Sequence, residues 1–180
     1  FDEASSATDV IEDTYEENQG MLAYDGSADN NLRYIGRDPN NYVYFNCDDY
    51  DSPSSSTCEL WRIIGIFNEN SHGISGEKLV KIIRDESIGG YSWDNKASGT
   101  GSSTTIYGSN DWSDSALQIV LNEGAYWNRT SGTCPSGQNG ATTNCDFSTT
   151  GLTDETKSMI ETVTWKLGGG STYDDVTASM

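Results

Sequence analysis

The four cysteines are the residues whose spacing most directly implies chemistry. Cys47 and Cys58 bound the stretch CDDYDSPSSSTC, and Cys134 and Cys145 bound CPSGQNGATTNC. Each pair encloses ten residues, polar and turn-forming in both cases. Four cysteines allow three pairings. The two local ones, Cys47–Cys58 and Cys134–Cys145, are favoured here, with free thiols or a metal site as the alternatives. Zinc fits poorly, because there is no Cys-x2-Cys pair and His72 is the sole histidine. Each closed loop would be worth about 3 kcal/mol in the chain-entropy model. An even set of paired cysteines points to an oxidising, extracellular compartment.

Acid–base chemistry finds less support. A nucleophile–histidine relay would have to use His72, which lies in the Gly- and Asn-rich stretch NENSHGISGE. The expectation is a solvated loop histidine with no second group to orient it. The chain holds 28 acidic and 10 basic residues, a net charge of -18. Among 28 acids some pair always suggests a glycosidase, so the pattern carries no specificity. The Gly-rich pieces GTGSS and GGGS lack the Lys-Ser/Thr and the preceding parallel strand of a phosphate loop. No catalytic residue is assigned, and the chain is read as a non-enzyme.

The charge itself argues against nucleic acid and anionic lipid as partners. Of the 28 acids, 14 precede Leu60, opposed there only by Arg33 and Arg37. Their two readings are solubility and binding of calcium by a few carboxylates, with no ligand set assigned. No apolar stretch approaches the length of a membrane span.

The aromatic residues give the candidate binding site. Tyr91, Trp93, Tyr107, Trp112, Tyr126 and Trp127 all flank polar loops. Exposed Tyr and Trp rings with Asn and Asp beside them suit a sugar, and the alternative is rings that cap a small core. Tyr91, Trp93, Trp112, Tyr126 and Trp127 are taken as the candidate ligand-binding set. Asn128-Arg129-Thr130 matches a glycosylation sequon. Lys81 is the candidate donor of an internal Lys–Asn bond of the kind found in Gram-positive surface proteins.

The elements that must position these groups are organised around residues 60–93. LWRIIGIF and KLVKIIRDESIGGYSW are two apolar, β-branched runs about a polar break, the pattern of a β-hairpin. In the first run Trp61, Ile63 and Phe67 are expected on one face and Leu60, Ile64 and Ile66 on the other, buried on both sides. In the second, Val80 and Ile82 alternate with Leu79, Lys81 and Ile83. An acidic segment over 1–30 is expected to hold a short helix at 6–19, capped by Thr8 with Val10, Ile11 and Tyr15 as its stripe. Residues 31–180 are read as one α+β domain. Short strands are expected at 21–24, 32–35, 42–45 and 105–107. A helix capped by Ser113 should bury Leu117, Val120 and Leu121. A longer one capped by Thr153 should bury Met159, Ile160 and Val163 and end at Gly168. The last residues, STYDDVTASM, have no clear assignment.

The runs NLRYIGRDPNNYVYFN, ELWRIIGIF, KLVKIIRDESIGGYSWDN, NDWSDSALQIVLNEGAYWNRTSGTC and GLTDETKSMIETVTWKLGGG span about Asn31 to Gly170. Together they resemble a group of uncharacterised secreted and cell-surface proteins of Gram-positive gut bacteria, many pilin-type. The same order of motifs is similar to C-type-lectin-like domains of bacterial surface proteins. The resemblance implies a fold and a location, and transfers no catalytic residue. Those proteins usually continue into an Asn/Tyr-rich segment and a closing strand, which implies here either a fragment or a fold completed by another molecule. Phe1 is the residue on which processed type IV pilins begin, but an acidic stretch follows it in place of an apolar helix.

The expectation is therefore a loop-rich α+β domain, C-type-lectin-like, with a twisted antiparallel sheet, two or three short helices and two local disulfides. Its expected role is that of an extracellular structural subunit or adhesive module of a filament or cell wall, assembling with its own copies. The alternative is a lectin-like module that binds glycan, with calcium as its one candidate cofactor.

Overall fold

The structure is a computed structural model and describes residues 7–13, 21–96, 108–109, 111–166 and 177–179. The fold is mixed α and β with antiparallel sheets and short helices. Its contacts gather into two compact units, one of residues 1–86 with 162–179 and one of residues 87–161. Among the described residues no helix is long and apolar enough to cross a membrane.

The first unit is built on β4 (Glu59–Asn68), the longest strand. After the one-turn helix α2 (Glu69–His72), β5 (Lys78–Arg84) runs antiparallel along one side of β4. The other side is shared: β3 (Tyr42–Phe45) pairs with Glu59–Arg62 and β2 (Leu32–Tyr34) with Gly65 and Ile66. β1 (Leu22–Tyr24) completes the sheet beyond β2. Where the partner changes from β3 to β2, β4 takes a bulge between Ile63 and Gly65. A bulge inserts one residue and reverses the sense of alternation beyond it. Phe67 therefore joins the face of Leu60 and Arg62, while Ile66 joins that of Trp61 and Ile63, a correction to the face assignment expected from strict alternation. Gly65 is required at this point, since a β-carbon there would collide with the Leu32 carbonyl.

Each face has its own core. Leu22, Leu32 and Ile66 are buried with Ile63, Val80 and Tyr34 on one face, under Ile11 of α1 (Ala7–Asp13). On the other face Phe67, Val163 and Trp165 are buried with Ile64, Ile74 and Leu79. Side chains of this kind contribute about 1.5–3 kcal/mol each when fully buried. The second cover reaches only half of its face. Leu60 and Ile83 stay 39% and 55% exposed, so β4 is covered on both sides only toward its C-terminal end.

The second unit packs Val120, Ala125, Tyr126, Cys134, Cys145, Phe147 and Leu152 into one core. Its elements are a 3-10 turn at Trp112–Asp114, α3 (Ala116–Asn122), the hairpin of β6 (Ser131–Pro135) and β7 (Thr142–Asp146), and α4 (Asp154–Ser158). Asn139 and Gly140 turn that hairpin with φ of 56° and 78°, the left-handed pair that an Asn-Gly hairpin turn demands.

Several expected details are corrected. Thr8 lies inside α1 and does not cap it, and Val10 is exposed. The cap of α3 is Ser115, whose hydroxyl accepts the Gln118 N–H at 3.1 Å; Ser113 belongs to the preceding 3-10 turn. Thr153 caps α4 as expected, but the helix is only five residues long. Beyond it Val163 and Trp165 are buried and Thr164 is exposed, the period-two alternation of β8 (Thr164–Lys166), which pairs with β9 (Thr177–Ser179). The β-branched and aromatic run Thr162-Val163-Thr164-Trp165 favours a strand and overrides the helical spacing of Met159, Ile160 and Val163. Tyr15, Gly168 and the expected strand at 105–107 lie outside the described residues.

Candidate ligand-binding site

Of the five aromatic candidates, the structure brings Trp93 and Trp112 together on the surface of the second unit. Their ring centroids are 4.9 Å apart with planes inclined by 51°. Trp93 is 47% exposed and Trp112 is half-buried. The other three serve the core. Tyr126 is buried and Tyr91 partly so, with their rings 5.4 and 6.1 Å from that of Phe147. Trp127 packs against the same core, with the Lys157 ammonium 5.9 Å above its ring. Tyr107 lies outside the described residues.

The pair is held by backbone bonds at both rings. The Trp93 carbonyl accepts the Leu117 N–H at 3.1 Å, at the start of α3. The Trp112 carbonyl accepts the Ser115 N–H at 3.1 Å, closing the 3-10 turn that Asp111 caps through the Ser113 N–H. Asp94, the residue after Trp93, is 7% exposed. Its Oδ1 accepts the N–H of Lys96 at 3.2 Å and of Ala116 at 3.1 Å, and its Oδ2 accepts that of Ser109 at 2.8 Å. One carboxylate thus ties three chain segments into the seat of the tryptophan pair. Burial alone would raise the Asp94 carboxyl; the three N–H donors and the nearby Lys96 ammonium outweigh it and hold the group below its ordinary value of 3.8. Gly108, with φ of 80°, leaves room for this carboxylate, which a β-carbon would strike.

Polar side chains flank the two tryptophans along the chain. The Lys96 ammonium donates to the Asp114 carbonyl and lies 3.8 Å from its carboxylate. Asn95 donates to the Ala141 carbonyl and accepts the Gly140 N–H, which fixes the loop to the hairpin tip. An adjacent pair of indoles, Trp93 half-exposed and Trp112 half-buried, with carboxylates and an ammonium close by in the chain, can stack on an apolar ring face and bond its hydroxyls. A separate open depression of about 560 Å³ lies over the β6–β7 hairpin, lined by Ser131, Thr133, Asn144 and Asp146. It offers no aromatic surface.

Asp94 was not anticipated from the sequence. Its donors lie 2, 15 and 22 residues away, so no local motif marks it.

His72 is not the solvated loop residue expected. It is 3% exposed and its ring meets that of Trp165 edge-on at 5.6 Å. Its Nδ1 accepts the Ile74 N–H at 3.3 Å, which leaves Nε2 to donate to the Phe67 carbonyl at 3.1 Å. Both nitrogens are engaged by backbone. The neighbouring Ser71 hydroxyl turns instead to Asp29 at 2.8 Å and Asn31 at 3.0 Å, in a buried network that also binds the Asn68 N–H. Histidine and serine are adjacent in sequence and bond to different partners.

Lys81 lies in the first unit with its ammonium 3.9 Å from the Trp165 ring centroid and 4.9 Å from that of Phe67. The sequon residue Asn128 sits on an exposed turn, its amide donating to the Glu123 carbonyl at 2.6 Å. Among the described residues no cluster of three or more Asp, Glu, His or Cys is placed to hold a metal ion. The cysteines form the bonds Cys47–Cys58 and Cys134–Cys145.

No protein-family model matches the chain, and comparisons with the curated proteins and with the solved structures give no match.

Proposed function

We propose that this is an extracellular, non-enzymatic surface protein that acts as an adhesive module and holds carbohydrate on the Trp93–Trp112 platform. The observation that carries this reading is the placement of two adjacent indoles, one half-exposed, on a seat tied by a single buried carboxylate. Aromatic side chains left in water on a rigid frame favour binding over packing. Two disulfides support the extracellular setting. The reading includes a C-type-lectin-like architecture, supported by the antiparallel sheet, the short helices and the local cystines. A pilus-like structural subunit is the second reading, favoured by an open strand edge in the first unit.

The test is titration of the full chain with a panel of oligosaccharides, followed by tryptophan fluorescence, with and without calcium. Trp93→Ala is expected to weaken binding about tenfold or more, a change of ~1.4 kcal/mol, while Trp127→Phe leaves it unchanged. A panel with no binder, or affinity indifferent to Trp93→Ala, overturns the platform.

A further inference from the structure

Among the described residues the outer edge of β3 has no partner strand. The Asn41 carbonyl accepts the Ile63 N–H at 2.8 Å, and this bond sets the phase of the β3–β4 ladder. Alternate residues of an antiparallel strand face the partner, so Val43 and Phe45 direct their backbone groups at β4, as Asn41 directs its carbonyl; the Asn41 N–H turns to the Pro39 carbonyl at 3.0 Å. Tyr42 and Tyr44 direct theirs outward, and β3 ends the strand order on that side. Among the described residues no backbone group bonds to them there. The strand reads Tyr-Val-Tyr-Phe, without the lysine, proline or bulge that shields most edges.

The side chains on one face of this edge are exposed too. Tyr42 stands opposite Arg62, which stands opposite Ile83, and Tyr44 stands opposite Leu60. Tyr42 and Tyr44 are 44% and 42% exposed, beside the exposed Leu60 and Ile83. The Arg62 guanidinium covers the Tyr42 ring at 4.7 Å. Tyr44 with Leu60, and Tyr42 and Ile83 on either side of Arg62, therefore share one face and form a strip from the open edge to β5 that the Arg62 side chain crosses.

We propose that this edge is an interface with a second copy of the chain, joined by antiparallel β3–β3 pairing about a two-fold axis through Val43. The edge is self-complementary. With Tyr42 opposite Tyr44 of the second copy, the outward N–H and C=O groups of both copies meet in two mutually bonded pairs, and Val43 faces Val43 between them. Every open group of the two tyrosines is satisfied. The tyrosine rings then lie across from each other on the same face, the arrangement that stabilises cross-strand aromatic pairs. The apolar strip becomes continuous through the axis. An unrelated extended peptide would satisfy the backbone, but only a second copy brings the matching tyrosines and the continued strip.

Two copies of net charge -18 repel, and pairing through a four-residue strand falls well below the ~1,200 Å² of a stable interface. The association is therefore weak in dilute, low-salt solution. It strengthens as salt screens the repulsion, and it becomes effective where copies are crowded together. This inference deepens the structural-subunit reading and uses nothing of the tryptophan platform. Pairing without sugar binding, or sugar binding without pairing, separates the two.

Sedimentation equilibrium of the full chain, from micromolar to millimolar concentration at low and high salt, tests it. The mass is expected to rise from 19.6 kDa toward twice that value, and more readily at high salt. Tyr44→Pro removes an outward N–H and the Tyr44 ring but no N–H directed at β4, so the monomer keeps its ladder, and its association is expected to weaken about tenfold or more. The pair Tyr42→Glu and Tyr44→Glu, which sets like charges opposite each other, should do the same without touching the backbone. Amide exchange at Tyr42 and Tyr44 should slow with concentration while that at Val43 stays constant. A monomer under every condition, association indifferent to these variants, or exchange independent of concentration overturns the proposal.

Discussion

The two cystine regions have the same length in sequence and different places in the fold. Cys47 follows β3 and Cys58 precedes β4, so the first bond clamps the connection of two strands from outside their ladder, with Cα atoms 3.9 Å apart. Cys134 and Cys145 lie within the β6–β7 ladder, where they pair with Thr143 and Gly132, and their Cα atoms are 5.9 Å apart. Cys47 is 2% exposed and Cys58 half-buried, but neither belongs to one of the described hydrophobic cores. Cys134 and Cys145, at 0% and 7% exposure, belong to the core of their unit beside Tyr126 and Phe147. Both bonds span a separation of 11 residues. The loop-closure entropy removed from the unfolded chain is thus the same for both, about 3 kcal/mol. Whatever difference remains between them reports packing.

The largest expected effect follows directly. Replacing Cys134 and Cys145 by alanine should destabilise the second unit by ~4–5 kcal/mol, the loop term plus a cavity in the core. Replacing Cys47 and Cys58 should cost the first unit ~3 kcal/mol. Urea unfolding of each variant, followed by amide exchange in each unit, measures both. Equal losses would mean that the core around Cys134 closes over the missing sulfur atoms, and the distinction between the two bonds would disappear.

The tryptophans sharpen the same contrast between buried and presented groups. Trp165 is 6% exposed and meets Phe67 edge-on at 5.4 Å. Trp165→Ala should destabilise the first unit by ~3–5 kcal/mol. Trp93→Ala should change stability by less than ~1 kcal/mol, because most of that indole's work is done on the surface. A comparable loss from both would make Trp93 a packing residue and remove the basis for a binding platform.

These contrasts also mark how far the sequence is legible. The strands at 42–45 and 60–67, the hairpin to Lys78–Arg84 and the pairing of the cysteines follow from local pattern and turn chemistry. The bulge at Ile63–Gly65 does not, because it answers to the change of partner from β3 to β2, strands that lie 18 to 33 residues earlier in the chain. His72 looked solvated because its sequence neighbours are polar; the group that buries it is Trp165, from the far end of the chain. Of the five ring candidates, three serve the core and two meet at the surface. Composition alone cannot sort them, since packing against Phe147 and tethering by Asp94 are both long-range.

Asp94 gives a smaller effect with a defined pH dependence. Its folded value lies below the ordinary 3.8. The stabilisation from the ionised group is therefore complete above 3.8 and is lost as pH falls through the lower, folded value. The Trp93–Trp112 pair should give an exciton couplet in circular dichroism that stays constant from neutral pH down to that region, then fades. Asp94→Asn should weaken the seat by ~1.5–3 kcal/mol, the range for hydrogen bonds to a charged group, and lower the couplet at every pH. A couplet unaffected by Asp94→Asn would leave the tie without a role in positioning the rings.

The smallest effect is expected at Lys81, where opposing terms nearly cancel. Burial pushes its ammonium below the ordinary 10.5, and the Arg33 guanidinium adds to the shift. Against this, the rings of Trp165 and Phe67 attract the cation, by ~0.5–1 kcal/mol for a half-exposed group. Methionine keeps the aliphatic stem, removes the charge and offers its sulfur to the same rings. Lys81→Met should thus change stability by less than ~1 kcal/mol, toward stabilisation if desolvation outweighs the ring contact. The pH dependence isolates the charge. A lysine depressed on folding binds fewer protons in the folded than in the unfolded chain between its folded value and 10.5, so stability rises with pH through that window. The rise should be present in the wild-type chain and reduced in Lys81→Met. An intact mass equal to the summed residues less only the disulfide hydrogens accompanies this expectation, because a Lys81 consumed in an amide bond would have no ammonium to titrate. A wild-type mass lower by one ammonia, with no alkaline difference between the two chains, would replace the ring-bound cation with a covalent cross-link.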